Sequence, residues 1–382
     1  MNSFSFSVPQ NIIVEKGGLA KLPEVAKELG GTKAFIISGP HLNKMGIVGK
    51  CIEALEAKGI KATAYTDTEG NPSVETVEKA TESFKESDSD FIIALGGGSP
   101  MDVAKAVGVV AKYGGSITDY EGGGKVPGDI IPLIAVPTTA GTGSEVTAFS
   151  VITDHSRNYK LTVFSYKLIP AYAILDANLL TTAPPSVAAA CGIDAMVHAL
   201  EAYISTAASP FSEAMSEKAL ELIGKNIRRY VANRYDIEAA ENMLVGSLFA
   251  GIAFSWARLG NVHAMSHPVS AFFNVPHGVA NAILLPTIVE YNALADTGKY
   301  YKIYRYIAKA PVPEEVFEPD MLVNEIKALN KELNIPASLS EAGVTADKIG
   351  AMSEDAMKSG NILVNPRSST IKDIEMLYNK AL

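Results

Sequence analysis

Apolar and polar positions follow two different rhythms along the chain. Up to about residue 180, short runs apolar on both faces alternate with longer amphipathic stretches. Residues 34–37, 60–65, 91–95 and 130–137 read as strands, and 42–58, 73–86 and the stretch from about Pro100 read as helices between them. Strands buried on both faces and joined by helices make a mostly parallel sheet with helical cover. After Pro184-Pro185 the pattern turns to helix after helix, over about 186–205, 210–232, 236–257, 260–272, 278–292, 320–333, 346–358 and 370–380. The chain is therefore expected to form an α/β nucleotide-binding domain over 1–182, with a Rossmann-like parallel sheet, and an all-α domain over 183–382, with the active site in the cleft between them.

Composition narrows the function classes. A length of 382 residues suits two domains, and 47% hydrophobic with 20% charged residues is an ordinary globular balance. A net charge of −9 argues against a nucleic-acid partner and against an anionic membrane surface. The two cysteines, Cys51 and Cys191, cannot build a disulfide framework, so a reducing compartment is expected. With no signal-like N-terminus and no run of 18 apolar residues, the expected location is the cytoplasm.

Two loops carry phosphate-binding chemistry. Gly96-Gly97-Gly98-Ser99 follows an apolar strand directly, and glycines there let backbone N–H groups approach a pyrophosphate. Ser99 is expected as N-cap, Pro100 at the first helical position and Asp102 in the first turn, with the positive helix end toward the phosphates. Pro137 to Glu145 (PTTAGTGSE) also follows a strand and is dense in hydroxyls and free amides. Either loop alone fits an ordinary polar turn, whereas two at strand exits favour a dinucleotide site.

The histidines supply the second signal. Asp194 and His198 stand at i and i+4, as do His263 and His267, and His277 follows Pro276 before another helix. The apolar neighbours Ile193, Met196, Val197 and Leu200 bury the first pair, and a buried carboxylate needs a partner or a metal. One carboxylate and several imidazoles suit Fe²⁺ or Zn²⁺ rather than Mg²⁺ or Ca²⁺. Spacing leaves five candidate groups and does not say which stays off the metal.

These residues resemble the iron-containing (group III) alcohol dehydrogenase family over essentially the whole chain, its lactaldehyde reductase and 1,3-propanediol dehydrogenase types in particular. GGGSPMDVAKA at 96–106, PTTAGTGSEVT at 137–147, GIDAMVHALEAY at 192–203, LGNVHAMSHP at 259–268 and PHGVANAILLP at 276–286 carry the likeness. The resemblance implies a dehydroquinate synthase-like fold and hydride transfer between a small alcohol or aldehyde and NAD, with NADP possible. It implies Fe²⁺, or Zn²⁺ as alternative, on Asp194, His198, His263 and His277, with His267 nearby as a proton relay. Cofactor contacts would come from Gly39, Gly96, Gly97, Gly98, Ser99, Asp102, Thr138, Thr139, Thr142, Ser144, Val151, Lys160 and Val187. The substrate would meet Thr147, Phe149, Phe254, Arg258, Leu259 and Asn361. A homo-oligomer, a dimer or larger, is implied as well.

Two positions depart from the pattern. Gly39 stands where NAD-strict relatives often place an aspartate, so weakened discrimination against NADP is expected, with His41 a weak phosphate partner. Trp256 and Arg258 stand where relatives with neutral substrates usually carry small residues. Arg258, four residues after Phe254 and so on its helical face, suggests an alternative substrate, a small anionic aldehyde such as sulfoacetaldehyde or a semialdehyde. More distant alternatives are a glycerol dehydrogenase-like or a dehydroquinate synthase-like enzyme, or a non-enzymatic metal- or nucleotide-binding protein.

Overall fold

A computed structural model describes residues 4, 6–8 and 10–382. They fall into two compact units. One comprises Ser7–Thr139 and Gly143–Ala183; the other comprises Ala140–Thr142 and Pro184–Leu382, together with Phe4 and Phe6.

The first unit holds strands β1 (Asn11–Val14), β2 (Lys33–Ile37), β3 (Lys61–Tyr65), β4 (Phe91–Gly96), β5 (Gly122–Gly123), β6 (Leu133–Pro137), β7 (Phe149–Asp154), β8 (Tyr159–Phe164) and β9 (Tyr172–Leu175). Its helices are α1 (Leu22–Glu28), α2 (Pro40–Lys44), α3 (Ile47–Glu56), α4 (Val74–Glu86) and α5 (Gly98–Tyr113). Six strands form a wholly parallel sheet in the order β1-β9-β6-β4-β2-β3. Successive side chains of one strand feed opposite cores. Phe35 and Ile37 join Ile92, Val103 and Val107 on one face, while Ala34 and Ile36 join Ile93, Leu55 and Val136 on the other. This two-sided burial explains the continuous apolar runs.

The chain runs out along β2 and β3, then returns to the other side of β2 with β4. The order in which strands are added therefore reverses between β2 and β4, and ligands of such sheets bind at the carboxyl ends of strands at that point. Gly39 follows β2, and the glycine loop follows β4.

Several expectations need correction. The helix expected over 42–58 is two helices, because Gly46 breaks it at φ 74. The sequence reading missed β1, the antiparallel pair β7 and β8, and β9. β7 and β8 are half-buried, so they lack the continuous apolar runs of the central sheet.

The second unit is helical: α6 (Pro185–Ile204), α7 (Pro210–Ala232), α8 (Ile237–Ala257), α9 (Asn261–Phe273), α10 (His277–Asn292), α11 (Lys299–Ile307), α12 (Pro319–Glu332), α13 (Ile349–Lys358) and α14 (Ile371–Ala381). The sequence reading placed no helix at α11. By length and composition α6 and α8 could cross a membrane, but 83% and 67% of those stretches are buried inside the protein. They are core helices, and α6 also carries Asp194, His198 and Glu201.

Candidate functional site

In the helical unit, three helices bring a carboxylate and three imidazoles together. Oδ1 of Asp194 lies 3.9 Å from His198 Nε2, 3.7 Å from His263 Nε2 and 3.8 Å from His277 Nε2. The donor atoms of Asp194, His263 and His277 all lie within 4.8 Å of one another. Tetrahedral ligation at 2.0–2.2 Å places donors about 3.4 Å apart, so modest closure around an ion suffices. Close helix contact makes the cluster possible. A Cβ on Gly278 would meet the Ala190 carbonyl oxygen at 2.3 Å, so glycine beside His277 lets α10 rest directly on α6.

The imidazoles are oriented for ligation. His198 Nδ1–H donates to the Gly141 carbonyl at 3.2 Å, and His263 Nδ1 lies 2.6 Å from Glu201 Oε2. Both contacts hold a proton on Nδ1, so in the neutral imidazole the lone pair lies on Nε2, as metal-binding histidines require. Asn281 is the other notable neighbour. Its amide nitrogen donates to Asp194 Oδ1 at 2.6 Å and lies 3.1 Å from Nε2 of both His263 and His277. Its Oδ1 is buried without a hydrogen-bond partner. A neutral donor thus caps three atoms suited to a cation, and the donor set fits Fe²⁺ or Zn²⁺.

Electrostatics keep Asp194 ionised and divide the imidazoles. Burial pushes the Asp194 carboxyl up, but His198, His263 and His277 outweigh it and hold the group well below the usual carboxylate range. Burial holds His198 down at about 4. For His263 burial acts downward, yet Asp194 and Glu201 carry it up to about 9.

His267 lies beside the cluster, outside the group of donor atoms that approach one another. Its ring centroid lies 5.2 Å from that of His277 and 6.2 Å from that of His263, and it is only partly buried. Phe254 stacks on the His198 ring at 4.5 Å. Arg258 requires a correction: α8 ends at Ala257, and Arg258 adopts φ 59, ψ −172. It leaves the helical path, so its side chain does not continue the Phe254 face. It is exposed, and no carboxylate forms an ion pair with it among the described residues. Its Nη1 lies 3.4 Å from where a Cβ on Gly360 would stand, beside the partly buried Asn361. Leu259 is buried. Trp256 packs on Phe6, which stacks on Phe211. Thr142 belongs to this unit, and Val187 is 39% exposed in the first turn of α6.

In the α/β unit, both predicted loops leave neighbouring strands. Gly96 pairs with Pro137 across β4 and β6, and Thr138 N–H donates to the Gly96 carbonyl at 2.9 Å. Gly96 has φ 151, a conformation that favours glycine. Position Gly97 lies against Thr139, whose Oγ1 stands 3.0 Å from where a Cβ would be. The helix begins two residues earlier than expected: Gly97 is the N-cap, Gly98 the first helical residue, and Ser99 and Pro100 lie inside the first turn. Glycine amides at the N-cap and first position replace the expected serine cap.

Asp102 also differs from expectation. It lies beyond the first turn, and its carboxylate accepts from the Ser144 hydroxyl at 2.7 Å and from Val151 N–H at 3.1 Å. Lys105, missed by sequence reasoning, completes this network. Its ammonium contacts Ser144 Oγ at 2.9 Å, Thr147 O at 2.9 Å, Thr147 Oγ1 at 3.1 Å and Phe149 O at 2.8 Å. One buried cation therefore ties together the segment carrying Ser144, Thr147 and Phe149. Lys160 bonds Asn71 Oδ1 at 2.7 Å, and His41 Nε2 contacts the Thr182 carbonyl at 3.1 Å, which commits that ring.

Comparison with known proteins agrees with this chemistry. Residues 9–177 match the model of the iron-containing alcohol dehydrogenase family, and residues 188–382 match the Fe-containing alcohol dehydrogenase family, C-terminal model. Lactaldehyde reductase of Escherichia coli (strain K12) is 36% identical over 96% of this chain and 96% of its own length. A crystal structure of 1,3-propanediol oxidoreductase aligns over 100% of both chains, at TM-score 0.95 and 34% identity. Sulfoacetaldehyde reductase from Bifidobacterium kashiwanohense, solved with NAD⁺, aligns over 100% of this chain and 99% of its own at TM-score 0.89 and 29% identity. The chain belongs to the iron-containing alcohol dehydrogenase family and is an NAD(P)-linked oxidoreductase.

Proposed function

We propose that Asp194, His198, His263 and His277 hold one ferrous or zinc ion, with which the enzyme interconverts a small alcohol and its aldehyde. The observation that carries this reading is the arrangement of three Nε2 atoms within 3.9 Å of one buried carboxylate oxygen. When bound, the ion supplies a Lewis acid for the substrate oxygen, and the nicotinamide gives or takes the hydride. Gly96, Gly97, Gly98 and Ser99 hold the pyrophosphate at the N-terminus of α5. Thr138, Thr139, Thr142, Val151, Lys160 and Val187 complete the cofactor contacts. Asp102 and Ser144 serve by shaping the 144–151 segment that presents Thr147 and Phe149. Phe254 covers the His198 ring and keeps water from it. His267 holds and passes the proton of the hydroxyl group at the rim of the histidine cluster. The reading includes a homo-oligomer in a reducing compartment, where Cys51 and Cys191 form no disulfide.

A second reading of the substrate, an aldehyde carrying a carboxylate or sulfonate, is favoured by Arg258. Its guanidinium is exposed with no carboxylate paired to it among the described residues, and a relative of this fold is a sulfoacetaldehyde reductase.

The test is NADH oxidation by protein loaded anaerobically with Fe²⁺, using propionaldehyde and sulfoacetaldehyde. Turnover that stops on chelation and returns with Fe²⁺ or Zn²⁺ supports the reading. Turnover indifferent to chelation, or none with either aldehyde, overturns it.

A further inference from the structure

Asp194, His198 and Glu201 stand at i, i+4 and i+7 on α6, one stripe of the helix. Glu201 is 2% exposed and does not face the other donor atoms. It reaches α9 instead. Its Oε1 accepts the Val262 N–H at 2.7 Å, and its Oε2 accepts the His263 N–H at 3.4 Å and meets His263 Nδ1 at 2.6 Å. One carboxylate thus terminates the first turn of α9 and grips the imidazole that this turn carries.

We infer that Glu201 is a positioning residue that fixes the tautomer of His263 and so decides whether the histidine cluster binds a metal. The inference rests on the proposed metal-binding set. A carboxylate only accepts hydrogen bonds, so His263 carries its proton on Nδ1. Nε2 then keeps its lone pair toward Asp194 Oδ1, 3.7 Å away, and toward the Asn281 amide, which donates to it at 3.1 Å. Space for this carboxylate depends on Gly260. A Cβ there would lie 2.9 Å from Glu201 Oε1 and 2.8 Å from Asn365 Oδ1, the latter an acceptor for Asn261 N–H.

Capping and tautomer control separate in Glu201→Gln. The amide oxygen of the variant still accepts the Val262 N–H and caps α9. Its NH₂ group then faces His263 Nδ1 as a donor, which drives the imidazole proton to Nε2 and blocks ligation. The opposite amide orientation sets a donor against the Val262 N–H and is disfavoured.

The experiment is Zn²⁺ titration of the full-length apo protein against a chromophoric chelator, with nitrogen-15 histidine spectra and thermal unfolding of the same samples. Zn²⁺ affinity in E201Q is expected to fall about 10- to 100-fold, the usual effect of losing such a partner. The His263 spectrum should change to the Nε2-protonated form while apo unfolding changes little. Gly260→Ala, which presses on Glu201, should lower affinity in the same direction. Should E201Q fail to fold, Gly260→Ala decides, and unchanged affinity there overturns the inference. Wild-type affinity in a folded E201Q also overturns it, while the metal reading stands. If wild-type protein binds no Zn²⁺, or His263→Ala binds it equally well, the metal reading itself fails.

Discussion

Lys105 holds Thr147 twice, its buried ammonium meeting the Thr147 carbonyl at 2.9 Å and the Thr147 hydroxyl at 3.1 Å. The same ammonium contacts Ser144 and Phe149, so four oxygens enclose one cation. Lys105→Met fills the space without charge and leaves the Thr147 and Phe149 carbonyls without this donor. A buried polar group left without its partner costs about 1–3 kcal/mol, so a drop in thermal unfolding temperature is expected. Lys105→Arg should not restore it, because a planar guanidinium does not fit around a point-like ammonium site. Wild-type stability in Lys105→Met would show that the network contributes little.

The same network makes stability depend on pH in two windows. Burial pushes Glu145 up to about 7 from an ordinary 4.5, and its Oε1 has no hydrogen-bond partner. The folded chain therefore binds the Glu145 proton more tightly than the unfolded chain, and stability falls as pH rises from 4.5 toward about 7. Burial brings Lys105 down to about 8 from 10.5, with the opposite result: stability is lost as pH falls from 10.5 through about 8. Glu145→Gln should flatten the lower window and stabilise the protein above it by on the order of 2 kcal/mol, read by urea unfolding at pH 5 and pH 8. An unchanged pH profile in the variant would refute the assignment.

The histidine cluster and both glycine-rich loops were legible from the sequence because their chemistry sits in short local spacings. Asp194 with His198 shows as i and i+4, and Gly96 to Ser99 shows as a strand exit. What escaped notice depends on distant partners. Lys105 looks like any helical lysine until the fold brings Ser144, Thr147 and Phe149 around it. Asn281 matters through its distances to Asp194, His263 and His277. Glu201 had a signal in the i+7 extension of the Asp194 stripe, but its role depends on where α9 begins. The sequence reading ended this helix at about 257, as found, but still placed Arg258 on the Phe254 face, because nothing in an arginine signals the left-handed φ of 59 that turns the chain there.

Gly39 bears on cofactor choice. It follows β2 at the point where the strand order reverses and adopts an extended φ of −102, open to any residue. A Cβ there would meet the Thr68 carbonyl at 3.3 Å, so an added side chain is crowded but tolerable. Gly39→Asp places a carboxylate where a 2′-phosphate would lie. Its kcat/KM with NADPH is expected to fall at least tenfold relative to NADH, as followed by absorbance with each cofactor. An unchanged NADPH-to-NADH ratio would remove Gly39 from cofactor selection.

Arg258 couples backbone strain to substrate charge. A non-glycine residue at φ 59, ψ −172 carries strain of about 1–3 kcal/mol. Arg258→Gly should therefore stabilise the fold, as measured by thermal unfolding. If Arg258 binds an anionic substrate, Arg258→Ala should raise KM for sulfoacetaldehyde about tenfold or more and leave propionaldehyde unchanged. Equal effects on the two aldehydes would confine Arg258 to a structural role.

The most direct measurement is anomalous diffraction at the iron or zinc edge on crystals of the metal-loaded enzyme. One peak is expected about 2.0–2.2 Å from Asp194 Oδ1 and from Nε2 of His198, His263 and His277, with His267 outside the ligand set. No peak at this cluster, or one bound elsewhere in an active enzyme, would contradict the account.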